Sequence, residues 1–214
     1  REGTKGRNSN SVSDVIRRRS ACLMDSIPVH IFHKHVSSPM RALIPFLLTL
    51  TPLVLWHPSY AQSGASEGDV IITEILYSSN HTDTDREYIW VYNTTSSPID
   101  LEDWVIVDED PSAGDPRRDD ITSSVVVGSE EFAVLCKDDD PSVNGGIDCA
   151  YDYPDRLSHT NTSDYVVLWA PDGTEIDRVH YDENQQGWPN AVGASIEYLG
   201  AAEDDNNLAS NWAE

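Results

Sequence analysis

The sequence from residue 86 to residue 104 reads Arg86-Glu-Tyr-Ile-Trp-Val-Tyr-Asn93-Thr-Thr-Ser-Ser-Pro-Ile-Asp-Leu-Glu-Asp-Trp104. In its first half, large aromatic and aliphatic side chains occupy alternate positions: Tyr88, Trp90 and Tyr92 against Ile89 and Val91. Strict alternation predicts a strand with both faces covered. Turn residues then occupy 93–98, after which apolar residues predict a return to the core at Ile99, Leu101 and Trp104.

The first 61 residues predict an export signal rather than part of a folded domain. Residues 1–39 have no periodicity and start with Arg1, so we interpret them as disordered, non-native translation upstream of the true start. Residues 40–61 begin at Met40, continue through a cationic start and an apolar run, and end in the cleavage pattern Ser59-Tyr-Ala61, as secretory signal peptides do. The apolar run is shorter than the ~20 residues of a membrane span, which disfavours an anchor. A Ser/Gly linker at 62–68 then leads into one domain at 69–214.

The charge of the exported part excludes some partners. The chain has a formal charge of −23, but residues 1–61 hold eight of its 14 Lys and Arg and only three of its 37 Asp and Glu, so the remainder carries six basic and 34 acidic residues and a charge of −28. Nucleic acid and anionic membranes both require neutralising cations on the protein. We therefore expect no direct nucleic-acid contact, and a surface suited to cations or to a saline medium.

Two cysteines remain after export. Cys136 and Cys149 predict a disulfide, because an isolated pair in an exported protein is most simply bridged. The intervening residues, 137–148, contain Pro141 and Gly145-Gly146, which let the chain turn back. A metal pair would need further Cys or His nearby, and the sequence has none there.

Short strands between turns predict an all-β antiparallel sandwich with little helix. Eight strands are expected, at Val70–Tyr77, Tyr88–Tyr92, Trp104–Val107, Ser123–Val127, Phe132–Cys136, Tyr165–Trp169, Glu175–Tyr181 and Ser195–Leu199. Gly128-Ser129 predicts a hairpin between the fourth and fifth strands, and Pro171-Asp-Gly173 predicts another between the sixth and seventh.

Several motifs together resemble the lamin tail domain family, specifically its secreted bacterial members. The similar segments are Ile71-Ile-Thr-Glu-Ile75, Glu87 to Asn93, Asp100-Leu-Glu-Asp-Trp104, Asp172-Gly173 with Ile176-Asp-Arg-Val-His-Tyr181, Gly193-Ala-Ser-Ile-Glu197 and Asn211-Trp212. The resemblance implies an immunoglobulin-like antiparallel β-sandwich of about seven to nine strands. It also implies a non-catalytic binding or scaffolding module of the cell surface.

Two positions depart from the family pattern. Trp90 stands where the family usually has an acidic residue, so any role of that acid is lost. The family normally continues past Asn211-Trp212 into a Gly-Thr-Pro-Gly-like closing segment, whereas this sequence stops at Glu214. We therefore expect a fragment whose sandwich is truncated at its C-terminus.

The best candidate ligand from sequence is a calcium ion. The loop between the cysteines offers oxygen donors of the kind that Ca²⁺ prefers, namely Asp138, Asp139, Asp140, Asn144 and Asp148. The order of these acids does not match an EF-hand loop. A solvated acidic loop is the alternative interpretation.

A second candidate site is aromatic, and no catalytic site is predicted. Trp188 lies between Gly187 and Pro189, where a loop indole can stack on a sugar, contact a protein or close one end of the sandwich. The three histidines of the exported part, His81, His159 and His180, are not surrounded by a nucleophile and an orienting acid.

Two functions from different classes follow. The first is a non-catalytic extracellular module whose partner is a protein or polysaccharide of the cell surface, with no cofactor required. The alternative is the N-terminal accessory domain of a larger secreted hydrolase, a nuclease or phosphoesterase, whose catalytic part lies beyond residue 214.

Overall fold

The computed structural model describes residues 64–79, 86–110, 112, 114, 116–153, 157–185, 187–190, 192–202 and 204–214. The predicted upstream segment, 1–39, and the predicted signal peptide, 40–61, lie outside these residues. Within the described ranges, no helix is long and apolar enough to cross a membrane.

The described chain forms two main sheets, antiparallel except for one pairing, and one small sheet. The strands are β1 (Val70–Leu76), β2 (Tyr88–Asn93), β3 (Ile99–Asp100), β4 (Val105–Val107), β5 (Arg118–Asp120), β6 (Val126–Val127), β7 (Phe132–Cys136), β8 (Tyr151–Asp152), β9 (Ser163–Trp169), β10 (Glu175–Asp182), β11 (Ile196–Tyr198) and β12 (Trp212–Ala213). The six-stranded sheet has the order β12-β11-β1-β2-β7-β8, the four-stranded sheet has the order β10-β9-β4-β5, and β3 pairs with β6. The predicted all-β, immunoglobulin-like sandwich is confirmed.

The core lies between the two main sheets. In β2, Ile89 and Val91 are fully buried, while Tyr88 and Trp90 on the opposite face are partly exposed, so the predicted alternation is confirmed. Leu101 and Trp104 are also fully buried, as the sequence predicts. Fully buried aliphatic residues of both sheets complete the core, among them Ile72, Ile75, Leu135, Ile106, Val166, Leu168, Ile176 and Val179.

Several hydrogen bonds join the two sheets where the start of β1 approaches β10. The register of β1 shifts between Ile72 and Glu74, and beyond this bulge the N-terminal half of β1 approaches β10. There the carboxylate of Asp177 accepts hydrogen bonds from the backbone N–H of Ile72 at 2.5 Å and from the amide of Asn206 at 2.7 Å. The N–H of Gly68 also donates to the carbonyl of Ile176. These bonds satisfy backbone groups that the ladder between β1 and β11 leaves unpaired.

The strand pairing corrects one of the two predicted hairpins. The turn at Pro171-Asp-Gly173 joins β9 and β10 as predicted, with Gly173 at a φ of 86°. The hairpin at Gly128-Ser129 is wrong, because β6 pairs with β3 and β7 pairs with β2. The amide of Asn93 explains the difference, since it donates to the carbonyls of Val127 and Gly128 and holds this turn against the end of β2.

Four strands carry no predicted counterpart, and one pairing is parallel. The short strands β3, β5, β8 and β12 are two or three residues long, too few for a period of two to be visible. Strand β8 runs parallel to β7, because the disulfide loop brings the chain back on the same side of the sheet. The final strand, β12, extends the six-stranded sheet by pairing with β11.

Candidate functional site

The predicted disulfide is present and closes the acidic loop onto the sheet. Cys136 at the end of β7 is bonded to Cys149, with the two Cα atoms 5.9 Å apart. Buried Asn144 organises the loop from inside: its side-chain oxygen accepts the N–H groups of Gly146 and Ile147, and its amide donates to the carbonyls of Asp138 and Ile147. The loop is therefore ordered by its own hydrogen bonds as well as by the cross-link.

The five predicted calcium ligands do not all share one surface. Asp139, Asp140 and Asp148 are exposed, Asp138 is partly buried, and Asn144 points inward. Two of the acids cap local turns, since Asp138 accepts the N–H of Asp140 and Asp140 accepts the N–H and hydroxyl of Ser142. Among the residues that the structure describes, no group of three or more His, Cys, Asp and Glu side chains is arranged to hold a metal ion. The calcium site stays a prediction.

Ionisable side chains distant in sequence meet beneath the segment that follows β8. Glu87 accepts the backbone N–H of His159 at 3.1 Å, and Asp108 accepts that of Ser158 at 2.5 Å. The ammonium of Lys137 donates to the carbonyl of Leu157. Each of these bonds holds the 157–159 segment against the sandwich, so we name Glu87, Asp108, Lys137, Tyr153 and His159 the buried polar cluster.

Burial shifts the pKa values in this cluster strongly. Desolvation raises the pKa of Glu87 to about 7, against the opposing effects of its bond from His159 and the charge of Lys137. Desolvation likewise raises the pKa of Asp108 to about 6, although Arg117 lies 3.3 Å away. It lowers the pKa of His159 to about 3, so this imidazole is neutral.

The cluster combines a base, an acid and a phenol in a largely buried position. The Tyr153 hydroxyl lies 3.5 Å from Nε2 of His159, at the outer limit of a hydrogen bond. Tyr153 and Asp108 are fully buried and His159 is 3% exposed. These groups are therefore enclosed within the part of the sandwich that the structure describes, where Nδ1 of His159 has no hydrogen-bond partner. Of the other histidines, His180 stacks on Tyr165 with ring centroids 4.0 Å apart, and His81 lies outside the described residues.

Trp188 sits at one end of the sandwich. Its ring lies 6.0 Å from that of Trp212, and it is partly buried against the core. Trp212 in turn packs on Tyr198 and donates its indole N–H to the carbonyl of Asn206. The geometry gives Trp188 a packing role, and its role in binding stays a prediction.

A groove on the outer face of the four-stranded sheet was missed by the sequence reasoning. It measures about 610 Å³, and its main lining residues are Asp103, Val105, Val107, Arg118, Asp120 and Trp169. We name it the Trp169 groove. In β9, the alternation of Tyr165, Val167 and Trp169 with core residues indicates which side chains lie on the outer face of the sheet. The groove was missed because strand β5, which forms its other side, was not predicted.

Paired charges lie on the same face of the sheet as this groove. Arg118 forms an ion pair with Asp120 on the edge strand β5. On β10, Arg178 makes two hydrogen bonds to Glu175, at 2.9 and 2.6 Å, and its guanidinium lies 5.9 Å from the centre of the Tyr165 ring. Glu175 is the cross-strand neighbour of Trp169. The outer face of this sheet thus carries indole and phenol rings between two arginine–carboxylate pairs.

A further groove of about 610 Å³ lies where β10 approaches the start of β1, and it is lined by acids. Asp177 is at its base, with a pKa raised to about 6 by burial. Its remaining carboxylates are Glu67, Asp69, Glu175, Asp204 and Asp205. The two polar contacts that Asp177 makes to Ile72 and Asn206 give this part of the groove a structural role.

Comparison with known proteins agrees with this architecture. The Lamin Tail Domain family matches residues 63–183, which extend from just before β1 to the end of β10. The motifs at 193–197 and 211–212 fall outside the match, although the structure places them at β11 and β12 of the same sheet as β1. No curated protein matches the chain. Lamin tail domains are immunoglobulin-like and non-enzymatic, and this chain belongs to the lamin tail domain family.

Proposed function

We propose that this lamin tail domain is a non-catalytic binding module that works outside the cell. The observation that carries the proposal is the bond between Cys136 and Cys149, which ties β7 to the acidic loop. Disulfides persist in oxidising compartments and are rare in reducing ones. The signal peptide expected at residues 40–61 supports the same location.

Binding is favoured over catalysis by where the perturbed side chains lie. Functional acids and bases are normally found in open clefts with shifted pKa values. Here Glu87 and His159, whose pKa values are strongly shifted, are inside the sandwich, and Asp177 in the acidic groove is bonded to the backbone of Ile72. The exposed faces and end loops are therefore the surfaces available to a partner.

Charge narrows the class of partner. With a formal charge of −23, and −28 once residues 1–61 are removed, the chain repels nucleic acid and anionic membranes. The remaining classes at a cell surface are proteins and polysaccharides, and we propose one of these as the natural partner.

Fractionation with thiol alkylation tests the location. Full-length chain is expressed in a bacterial host with an export pathway. Free thiols are alkylated in the intact cells, which are then lysed and fractionated. We expect the chain outside the cytoplasm with Cys136 and Cys149 unmodified until a reductant is added. The double variant Cys136→Ser/Cys149→Ser is the control for alkylation elsewhere. Chain retained in the cytoplasm with both thiols labelled would contradict the proposal.

A further inference from the structure

We propose that the Trp169 groove binds neutral, pyranose-based glycans. The inference rests on the proposed function and names its surface and ligand class. It is carried by the combination of a half-buried indole in the groove lining, charge-matched arginines on the same face of the sheet and an edge strand unsuited to peptide pairing.

Part of the groove lining is apolar. Trp169 at the end of β9 is half-buried and stands opposite Val105 of β4 in the sheet register. Val107 of β4 also lines the groove but is only 5% exposed. An indole held by a sheet offers a rigid apolar surface at low entropic cost, and the C–H face of a pyranose ring is apolar as well. Recognition sites usually combine such a surface with a few polar groups at the margin.

The margin supplies both hydrogen-bond donors and acceptors. Arg118 and Asp120 stand side by side on β5, with side chains that are 51% and 49% exposed. Asp103 lies across the groove, in a backbone conformation with a φ of 67°. A sugar hydroxyl is at once donor and acceptor, so it can contact a guanidinium and a carboxylate together.

Charge favours a neutral ligand. Each arginine on this face is matched by its own carboxylate, Arg118 by Asp120 and Arg178 by Glu175. Neither arginine presents an unbalanced positive charge to a polyanion, and the whole chain carries a charge of −23 that repels one. An acidic polysaccharide is therefore excluded in favour of a neutral one.

Strand addition by a peptide is disfavoured at the same place. Strand β5 forms the edge of the four-stranded sheet but is only three residues long and is charged throughout. Short edge strands with charged side chains resist pairing with another strand. The accessible surface here is the face of the four-stranded sheet rather than its edge. A sugar ring can stack on such a face.

Affinity electrophoresis and calorimetry test the proposal on the exported product of the full chain. The neutral probes are β-glucan, xylan, galactomannan and chitohexaose, and polygalacturonate is the anionic probe. We expect at least one neutral probe to bind and to change the tryptophan fluorescence. Trp169→Ala should weaken that binding by about tenfold or more, because aromatic anchors dominate such contacts.

Matched variants separate binding from folding. Trp90→Ala removes a half-buried indole from the outer face of the other sheet and should leave binding unchanged. Trp169→Tyr keeps a stacking ring and should retain most of the affinity, and the double variant Asp103→Asn/Arg118→Gln should weaken it without removing the indole. Thermal melting of each variant reports whether it is folded.

The proposal is overturned if no neutral probe binds, if only polygalacturonate or an unrelated peptide binds, or if Trp90→Ala abolishes binding while Trp169→Ala does not. Failure here is distinct from failure of the proposed function. A chain that is exported and disulfide-bonded but binds no neutral glycan rejects this inference alone. A chain found in the cytoplasm with free thiols rejects the proposed function.

Discussion

The carboxylate of Asp177 accepts the backbone N–H of Ile72 at 2.5 Å, across 105 residues of sequence. This bond connects β10 of the four-stranded sheet to the bulged start of β1 in the six-stranded sheet. The same carboxylate accepts the amide of Asn206, which also donates to the carbonyl of Ile72. One side chain thus holds three segments together where the two sheets meet.

Removing this carboxylate should destabilise the whole sandwich. Asp177→Ala leaves the N–H of Ile72 and one donor of Asn206 without this acceptor, which costs about 1–3 kcal/mol of unfolding free energy. Urea denaturation of the two proteins measures the difference. Asp139→Ala, in an exposed loop, is the matched control and should change stability by less than about 0.5 kcal/mol. Equal effects of the two substitutions would show that the contact contributes nothing.

Stability should fall as the pH rises from 6.5 to 8. Glu87 has a pKa of about 7 in the folded chain against 4.5 for the ordinary side chain, so it binds its proton more tightly when folded. The stabilisation from this tighter proton binding is complete below pH 4.5 and is lost as the pH rises through 7. Between pH 6.5 and 8, the loss amounts to about 1 kcal/mol of unfolding free energy. His159, with a pKa of about 3, has the opposite sign, but its contribution is lost only as the pH falls below its ordinary value of 6.5.

Glu87→Gln isolates this effect. Glutamine keeps an acceptor for the N–H of His159 but cannot titrate, so the slope of stability between pH 6.5 and 8 should flatten. The control is Glu102→Gln at an exposed position, where the slope should stay that of the parent. Urea denaturation at several pH values provides the measurement. A parent slope of zero, or an unchanged slope in Glu87→Gln, would contradict the assignment.

Reduction of the disulfide should lower stability without changing the fold. Cys136 and Cys149 are 13 residues apart, and closing a loop of this length stabilises a protein by roughly 3 kcal/mol in the chain-entropy model. Cys136→Ser/Cys149→Ser should therefore unfold at a lower urea concentration than the parent. The parent with reductant should behave like the double variant, and the variant should not respond to reductant. A parent that is insensitive to reductant would disprove the stabilising role.

How far the sequence predicted this molecule depends on the length of each element. Strands β1, β2, β7, β9 and β10 are at least five residues long, so each carries enough apolar residues to be recognised from the sequence. The pairing of β6 could not be predicted, since it depends on the Asn93 amide reaching a turn 34 residues away. Short strands such as β5 form because a neighbouring strand pairs with them, and their sequences have no periodic signal.

Functional sites were harder to predict than strands, because their residues come from distant parts of the sequence. Predicting the disulfide required only the number of cysteines and the expected oxidising compartment. By contrast, the contact between Glu87 and His159 spans 72 residues, and the Trp169 groove joins β4, β5 and β9. Such groups become neighbours only through sheet order, which local patterns do not specify.

The calcium prediction can be tested by thermal melting. A site in the disulfide loop predicts a higher melting temperature in calcium than in chelator, by mass action on the folded state. Asp138→Asn/Asp140→Asn should remove the difference, and Asp172→Asn, in an exposed turn, should preserve it. Equal melting temperatures of the parent in calcium and in chelator would dispose of the site.

The intact mass of the exported protein tests the central claim, that this chain is a disulfide-bonded extracellular module. Full-length chain is expressed with an export pathway, and the product outside the cytoplasm is measured before and after reduction. We expect a product that begins at Gln62 and gains the mass of two hydrogens on reduction. An unprocessed product confined to the cytoplasm, with no change in mass on reduction, would contradict it.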